Sequence, residues 1–166
     1  MRTRFVPYGI AASVFLLDRV TKAVISNQVS PWDTYVVIPG FFNIVHTENR
    51  GMAFGFLANA DNEWQSFFLA GLTLLILALL ATMLWQPAGK GLAGSGRARL
   101  AMSLVMGGAL GNLYDRILHG AVTDFLDFYI ADHHWPAFNV ADSAISIGAG
   151  LLILDMLITR QTQERD

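Results

Sequence analysis

The sequence predicts an all-α membrane protein of four transmembrane helices, with both termini cytoplasmic, a small extracytoplasmic β-sheet and a short interfacial helix. Hydrophobic residues make up 54% of the 166 positions and charged residues only 14%, whereas soluble domains carry about 25% charged residues. The apolar residues are concentrated in four stretches, and most of the basic residues flank those stretches on one side. We therefore expect residues 1–166 to form a single integral membrane domain.

Each apolar stretch has the length of a membrane span, because a helix needs about 20 residues to cross the hydrocarbon core. The second stretch is free of charge between Glu63 and Lys90, whereas the other three contain ionisable residues that must be accepted inside the membrane. The predicted helices cover about residues 5–26, 64–86, 99–118 and 137–159.

The basic residues predict the orientation, because Lys and Arg in short loops stay on the cytoplasmic side. Seven of the 11 basic residues fall on one side of the predicted spans: Arg2, Arg4, Lys90, Arg97, Arg99, Arg160 and Arg165. The opposite loops, about residues 27–63 and 119–136, contain only Arg50. The N-terminal stretch also resembles a cleavable signal peptide, but Asp18 and Lys22 interrupt it, and we interpret it as the first helix.

The outer loops are not polar linkers. Residues 35–38 and 41–47 are rich in β-branched and aromatic residues, and Pro39 and Gly40 form a turn signal between them. This pattern predicts a small sheet on the membrane surface. Residues 125–135 are amphipathic and aromatic, which favours a short interfacial helix.

Composition and motifs exclude several classes of function. A net charge of −2 argues against a nucleic-acid binder. The absence of cysteine excludes disulfides and thiolate catalysis. Asp132, His133 and His134 are weak candidates for a metal site, since no HExxH or second paired-ligand motif accompanies them. Ser143 has no serine-hydrolase context.

Ionisable residues inside spans are costly, at about 2.5–3.5 kcal/mol each, so each one demands an explanation. Asp18 and Lys22 lie four residues apart and can pair on one helix face. A structural ion pair and a functional role are equally open for these two residues and for Asp115. For Asp155, which lies near Arg160, a structural role is favoured. In the third helix, glycines spaced as GxxxG favour close helix contact: Gly107 and Gly111.

Two aspartates are predicted to lie near the outer membrane surface. Asp124 follows the third helix, and Asp142 lies about one turn inside the fourth. Two carboxyl groups brought together in apolar surroundings share a proton, because repulsion and desolvation oppose double ionisation. An aspartic protease uses such a pair to activate water. From spacing alone, solvated surface carboxylates or an ion path also remain open.

Five motifs together resemble the series of bacterial lipoprotein signal peptidase, signal peptidase II, over about residues 8–159. In chain order they are Asp18 to Lys22, Glu48 to Gly55, Gly107 to Arg116, Val122 to Phe125 and Phe138 to Ser143. The resemblance implies an intramembrane aspartic endopeptidase of the bacterial cytoplasmic (inner) membrane, acting at the extracytoplasmic face. It would remove the signal peptide from diacylglyceryl-modified prolipoproteins, N-terminal to the lipid-modified cysteine.

The resemblance also implies roles for individual residues. Asp124 and Asp142 match the catalytic pair of the family. Four residues match family positions that hold substrate backbone or orient the aspartates: Asn49, Asn112, Arg116 and Asn139. Three residues match positions that support the site: Asp18, Lys22 and Asp115. Arg50 and Met52 depart from the usual pattern without affecting this assignment.

The family resemblance further implies no cofactor, inhibition by globomycin-type cyclic peptides, and membrane phospholipid as a partner; nothing in the sequence requires more than a monomer. The leading alternative is a small proton-coupled membrane transporter, which predicts ionisable residues at the midplane and two similar halves. A membrane scaffold is the third option. The outer position of the carboxylates and the absence of a repeat favour the peptidase.

Overall fold

The structure is a computed structural model, and it describes residues 4–51, 64–87, 89 and 93–163, without the side chains of 64–66 and 160–163. Several residues used in the sequence analysis lie outside this description: Arg2, Met52, Glu63, Lys90 and Arg165, together with the side chain of Arg160. The elements, in chain order, are α1 Val6–Gln28, β1 Thr34–Ile38, β2 Phe42–Asn49, α2 Trp64–Trp85, α3 Gly96–His119, β3 Val122–Ile130, β4 His133–His134 and α4 Val140–Gln163.

Four long helices occur where the sequence predicts them. Each has 22 to 24 residues, which at ~1.5 Å per residue is long enough for a hydrocarbon core of about 30 Å. In the described chain, two helices are also apolar enough to cross a membrane on composition alone, over Phe67–Trp85 and Val140–Thr159. The other two, α1 and α3, carry the charged residues that the sequence analysis singled out.

Helix α3 packs against each of the other three helices, and its glycines permit the closest contacts. A Cβ on Gly107 would lie 2.5 Å from the backbone oxygen of Ala11 in α1. A Cβ on Gly108 would collide with the backbone oxygen of Ala141 in α4, and one on Gly111 with the carboxylate of Asp18. The predicted close approach at the GxxxG pair is confirmed.

The end of the bundle that is farther from the sheet is held by polar contacts between helices. The Arg99 guanidinium donates to the backbone oxygens of Leu84 and Gln86, at 2.9 and 3.0 Å, which satisfies carbonyls at the end of α2. Asp155 accepts from Ser95 Oγ at 2.8 Å and Arg97 Nε at 3.1 Å. The structural role expected for Asp155 is therefore supported, with Arg97 as its ion-pair partner.

The sheet is antiparallel, with the strand order β1-β2-β3-β4. As predicted, β1 and β2 form a hairpin through Pro39 and Gly40, where Gly40 takes a φ of +77° that favours glycine. Strand β2 pairs with β3 so that Thr47 lies opposite Asp124 and Asn49 opposite Val122. This register brings the last residues of β2 beside the first residues of β3.

The prediction of an interfacial helix over residues 125–135 is wrong. These residues form most of β3, then a turn at Ala131 and Asp132, then β4. Aromatic residues favour strands, and β2 supplies backbone partners that a local sequence pattern does not reveal. Phe125 packs inward on Ile25 of α1 and on Val29, the residue that follows this helix, so the strand is fixed to the bundle.

The helix exteriors are apolar. Large hydrophobic side chains are exposed along the outward faces of α1, α2 and α4, including Leu16, Leu17, Val20, Phe67, Leu74, Leu75, Leu79, Ile153, Met156 and Leu157. Exposed apolar surface on this scale is unusual in soluble monomers. It suits a lipid environment.

Replacing Gly107 by alanine tests the helix contact. We expect Gly107→Ala to destabilise the fold by about 1–3 kcal/mol, because the new methyl group meets the Ala11 backbone oxygen and cannot be relieved by a side-chain movement. The measurement is thermal unfolding in detergent. The matched control is Gly150→Ala in α4, where nothing lies within 4 Å of the added Cβ; it should be neutral or stabilising. Equal unfolding temperatures for the two variants would contradict the packing argument.

Candidate active site

Two different elements bring the predicted aspartate pair, Asp124 and Asp142, to one end of the bundle. Asp124 is the third residue of β3 and is only 3% exposed. Asp142 lies in the first turn of α4, where a carboxylate interacts favourably with the helix dipole. The loop between α3 and α4 folds back as a sheet strand and so returns the chain to the same place.

The Asn139 side chain connects the two aspartates. Its Nδ2 donates to Asp124 Oδ1 at 2.7 Å, and its Oδ1 accepts the backbone N–H of Asp142 at 2.9 Å. The second contact is an N-cap of α4, which satisfies a backbone donor that the helix itself leaves free. One amide group therefore begins the helix that carries Asp142 and holds the carboxylate of Asp124.

Two further asparagines complete the amide contacts of the pair. Asn49, at the end of β2, donates from Nδ2 to Asp124 Oδ2 at 3.1 Å. Asn112, on α3, donates from Nδ2 to Asp142 Oδ1 at 2.7 Å. Both oxygens of Asp124 thus accept amide donors, and the predicted convergence of Asn49, Asn112 and Asn139 on the aspartates is observed.

Burial raises the pKa of Asp124 to about 7, and the negative charge of the nearby Asp142 adds to this shift. The amide donors of Asn49 and Asn139 and the charge of Lys22 act in the opposite direction without cancelling it. Because the two carboxyl groups interact, the titration near pH 7 belongs to the pair. The pair is therefore suited to hold one proton at neutral pH.

Arg116 lies beside the pair without forming an ion pair in the described part of the chain. Its guanidinium donates to the backbone oxygens of Gly51 at 3.2 Å and Asn112 at 3.5 Å. Its Nε is buried and, among the described residues, has no acceptor. The side chain joins the end of the β2 segment to α3 and keeps a donor available.

The predicted supporting residues Asp18, Lys22 and Asp115 form a cluster of charges together with Arg19, and we call these four residues the buried ion cluster. Lys22 pairs with Asp18 at 2.9 Å, as the i,i+4 spacing predicts, and with Asp115 at 2.8 Å. Arg19 pairs with the other oxygen of Asp115. Asp18 Oδ1 also accepts the Ala141 backbone N–H at 3.0 Å, so the cluster contacts the first turn of α4.

Some contacts near the site were not predicted. Arg19 pairs with Asp115 on another helix, 96 positions away in the chain, and no local spacing indicates that contact. Thr47 Oγ1 donates to the Asp124 backbone oxygen at 3.2 Å, a contact set by strand register. Asp127 accepts from Asn43 at 2.9 Å and contacts His134 Nδ1 at 2.8 Å. The spacing of Asp132, His133 and His134 gave no signal for this pairing.

These features define a class of protein: a helical membrane enzyme with a paired-aspartate site at one end of its bundle. A family profile described as "Signal peptidase (SPase) II" matches residues 10–158. A lipoprotein signal peptidase from Solibacter usitatus is 49% identical over 93% of this chain and 92% of that protein. One from Maridesulfovibrio salexigens is 44% identical over 93% and 96%.

Solved structures agree with the sequence relatives. A structure described as a bacterial membrane enzyme superposes with a TM-score of 0.81 at 34% identity, covering 96% of this chain and 91% of the other. A second one gives 0.77 at 33% identity, covering 91% and 92%. The chain belongs to the signal peptidase II family, whose members are aspartic endopeptidases. The family identification does not favour the alternative of a proton-coupled transporter.

The double role of Asn139 can be tested by stability. We expect Asn139→Ala to lower the free energy of unfolding by about 2 kcal/mol or more, because it removes a helix cap and leaves buried groups without a partner. Thermal unfolding in detergent measures the change. Asn27→Ala is the control, since exposed Asn27 donates to Ala23 within its own helix α1, and it should have little effect. Similar losses in the two variants would contradict the assignment.

Proposed function

We propose that this chain removes the signal peptide from diacylglyceryl-modified prolipoproteins by cleaving N-terminal to the lipid-modified cysteine, with Asp124 and Asp142 as catalytic residues. The observation that carries the proposal is the Asn139 amide, which holds one carboxylate and caps the helix of the other. The sequence relatives that are named lipoprotein signal peptidase support the choice of substrate.

The chemistry follows from one proton shared by two carboxyl groups. Asp142 is ionised and takes a proton from a water molecule as the water oxygen attacks the scissile carbonyl carbon. Asp124 is protonated and donates a hydrogen bond to the carbonyl oxygen, which gains negative charge in the tetrahedral intermediate. The peptide C–N bond then breaks, a proton passes to the leaving nitrogen, and the products are a carboxylic acid and an amine. The raised pKa of Asp124, about 7, supports this division of roles.

The neighbouring polar residues are suited to hold an extended peptide. Arg116 Nε, buried without an acceptor in the described chain, can donate a charge-assisted hydrogen bond to a substrate carbonyl. Asn49 and Asn112 orient the carboxylates. We assign Asp18, Lys22 and Asp115 to the support of these residues, since the buried ion cluster contacts α3 and the start of α4.

We infer a multi-pass topology in the bacterial cytoplasmic membrane, with four spans, both termini cytoplasmic and the site at the extracytoplasmic face. Two of the helices are apolar enough on composition. The charges of the buried ion cluster on α1 and α3 are paired within the bundle, which lowers the cost of placing these helices in lipid. Arg97 and Arg99 lie at the start of α3, the end away from the aspartate pair, in agreement with the positive-inside rule.

The remaining parts of the proposal come from family membership. We expect the enzyme to work as a monomer surrounded by phospholipid, to need no cofactor, and to be inhibited by globomycin-type cyclic peptides. The pair is the part of the chain that such an inhibitor would block.

Asparagine substitutions test the catalytic pair. We expect Asp124→Asn and Asp142→Asn each to abolish turnover of a purified diacylglyceryl-modified precursor. An asparagine amide can neither accept a proton from water nor carry the proton that the two carboxyl groups share. Asp33→Asn, an identical change in an exposed loop, should cleave at the rate of the wild type. Unfolding temperatures establish that each variant is folded. Retained cleavage by either site variant removes that aspartate from the mechanism.

The pH dependence provides a separate test. Below about pH 7 the pair holds its proton, and above it the proton is lost, since the pKa of Asp124 is raised to about 7. We therefore expect cleavage to decline as the pH rises through about 7, by close to tenfold per pH unit well above that point. A steady-state rate profile between pH 5 and 9 measures it. Constant activity up to pH 9 is the result that contradicts this role for the proton.

A further inference from the structure

Lys22 lies at the meeting point of the buried ion cluster and the aspartate pair. Its side chain is 1% exposed. The Nζ atom lies 2.9 Å from Asp18 Oδ2, 2.8 Å from Asp115 Oδ2 and 2.9 Å from Asn112 Oδ1. The Asn112 oxygen accepts a hydrogen bond from this ammonium group, and the two carboxylates pair with it by charge.

The charges of the buried ion cluster balance. Arg19 and Lys22 are positive, and Asp18 and Asp115 are negative, so the cluster is neutral as long as Lys22 keeps its proton. A buried charge is tolerated when it is paired and hydrogen-bonded. Neutrality alone, however, requires only the two carboxylates as partners of Lys22 and does not explain the third contact.

The third contact determines which way the Asn112 amide points. An ammonium group can only donate, so the atom of Asn112 that faces Lys22 must be the oxygen. The nitrogen then faces the opposite way and donates to Asp142 Oδ1 at 2.7 Å. Asn139 Nδ2 also approaches Asn112 Oδ1, at 3.3 Å, but it shares its donors with Asp124 and Thr123. Lys22 is therefore the stronger determinant of the amide orientation.

The reversed amide would change the protonation of Asp142. A carbonyl oxygen placed against a carboxylate oxygen requires a proton between them. The cations that act on the pair are Lys22 on α1 and Arg116 on α3, and the other charges packed nearby, Asp18, Arg19 and Asp115, belong to the buried ion cluster. Among the described residues, Lys22 is the cation that donates to the side-chain amide of Asn112, whose nitrogen donates to Asp142, whereas Arg116 contacts only the Asn112 backbone oxygen.

We propose that Lys22 is a positioning residue for cleavage: through Asn112 it keeps an N–H donor on Asp142, so that Asp142 stays ionised and the shared proton stays on Asp124. The path is Lys22 Nζ to Asn112 Oδ1, then Asn112 Nδ2 to Asp142 Oδ1. This inference rests on the proposed function of the aspartate pair. Lys22 touches neither substrate nor water in this scheme and acts through the amide.

The test is the pH profile of Lys22→Met. We expect kcat to fall about 10- to 100-fold, in line with the loss of a hydrogen bond to a charged group, while KM changes less than about threefold. We also expect the pH at which activity is half lost on the acid side to rise by about one unit or more, because Asp142 would be protonated more readily. The assay is cleavage of the diacylglyceryl-modified precursor by the full-length enzyme in detergent.

Arg19→Met is the matched control. Arg19 is on the same helix and pairs with the same Asp115, but it has no contact with Asn112 in the described structure. It should lower the unfolding temperature while leaving the acid side of the pH profile in place. An equal shift of the acid side in Arg19→Met and Lys22→Met would assign both effects to the charge cluster and overturn the proposal.

A second variant covers the case in which Lys22→Met does not fold. Lys22→Met combined with Asp18→Asn leaves a neutral cluster of Arg19 and Asp115, and the Asn oxygen can still accept the Ala141 N–H. In the double variant, the pH at which activity is half lost on the acid side should rise as in Lys22→Met, whereas in Asp18→Asn alone it should not. An unshifted profile in the double variant overturns the role of Lys22. Failure of the proposed function is distinguishable, since the wild type would then leave the precursor uncleaved.

Discussion

A single buried amide sets the geometry on which the rest of the site depends. The Asn139 side chain, which has no exposed surface, caps α4 through its oxygen and donates to Asp124 through its nitrogen. Because both ends of the amide are used, neither can change partner without a cost to the other. The start of a helix and the position of a carboxylate on a separate strand are thus one constraint, and Asp142 is placed by the helix that this amide begins.

Helix α3 transmits that constraint to the rest of the bundle. Its glycines let α1 and α4 approach until Asp18 of α1 reaches the Ala141 N–H in the first turn of α4. The same turn is capped by Asn139, so two side chains from distant parts of the chain satisfy its backbone donors. Asn112 then lies between Lys22 and Asp142. Close helix packing and the polar contacts of the site require each other.

The parts of this arrangement that the sequence could predict are those that depend on local spacing. Apolar length predicted the four helices, an i,i+4 spacing predicted the pairing of Asp18 with Lys22, and helix direction predicted that Asp124 and Asp142 lie at the same end of the bundle. All three follow from the rise per residue of a helix.

The parts that escaped prediction depend on contacts between distant segments. Residues 125–135 have the composition of an interfacial helix, but pairing with β2 makes most of them a strand. The partner of Arg19 lies on another helix, and so does the partner of Asp155. Asn139 could be recognised as polar and well placed, but a double role for one amide follows only from three-dimensional positions.

The buried ion cluster has a consequence for the order in which the chain assembles during biogenesis. Asp18 and Lys22 belong to one helix and can neutralise each other as soon as that helix forms. Arg19 has its counter-ion on α3, which is synthesised much later. Until α3 is synthesised, α1 therefore carries one charge without its final partner. The charge balance of the first helix is therefore completed only when the third helix joins it, so the early part of the chain depends on the late part.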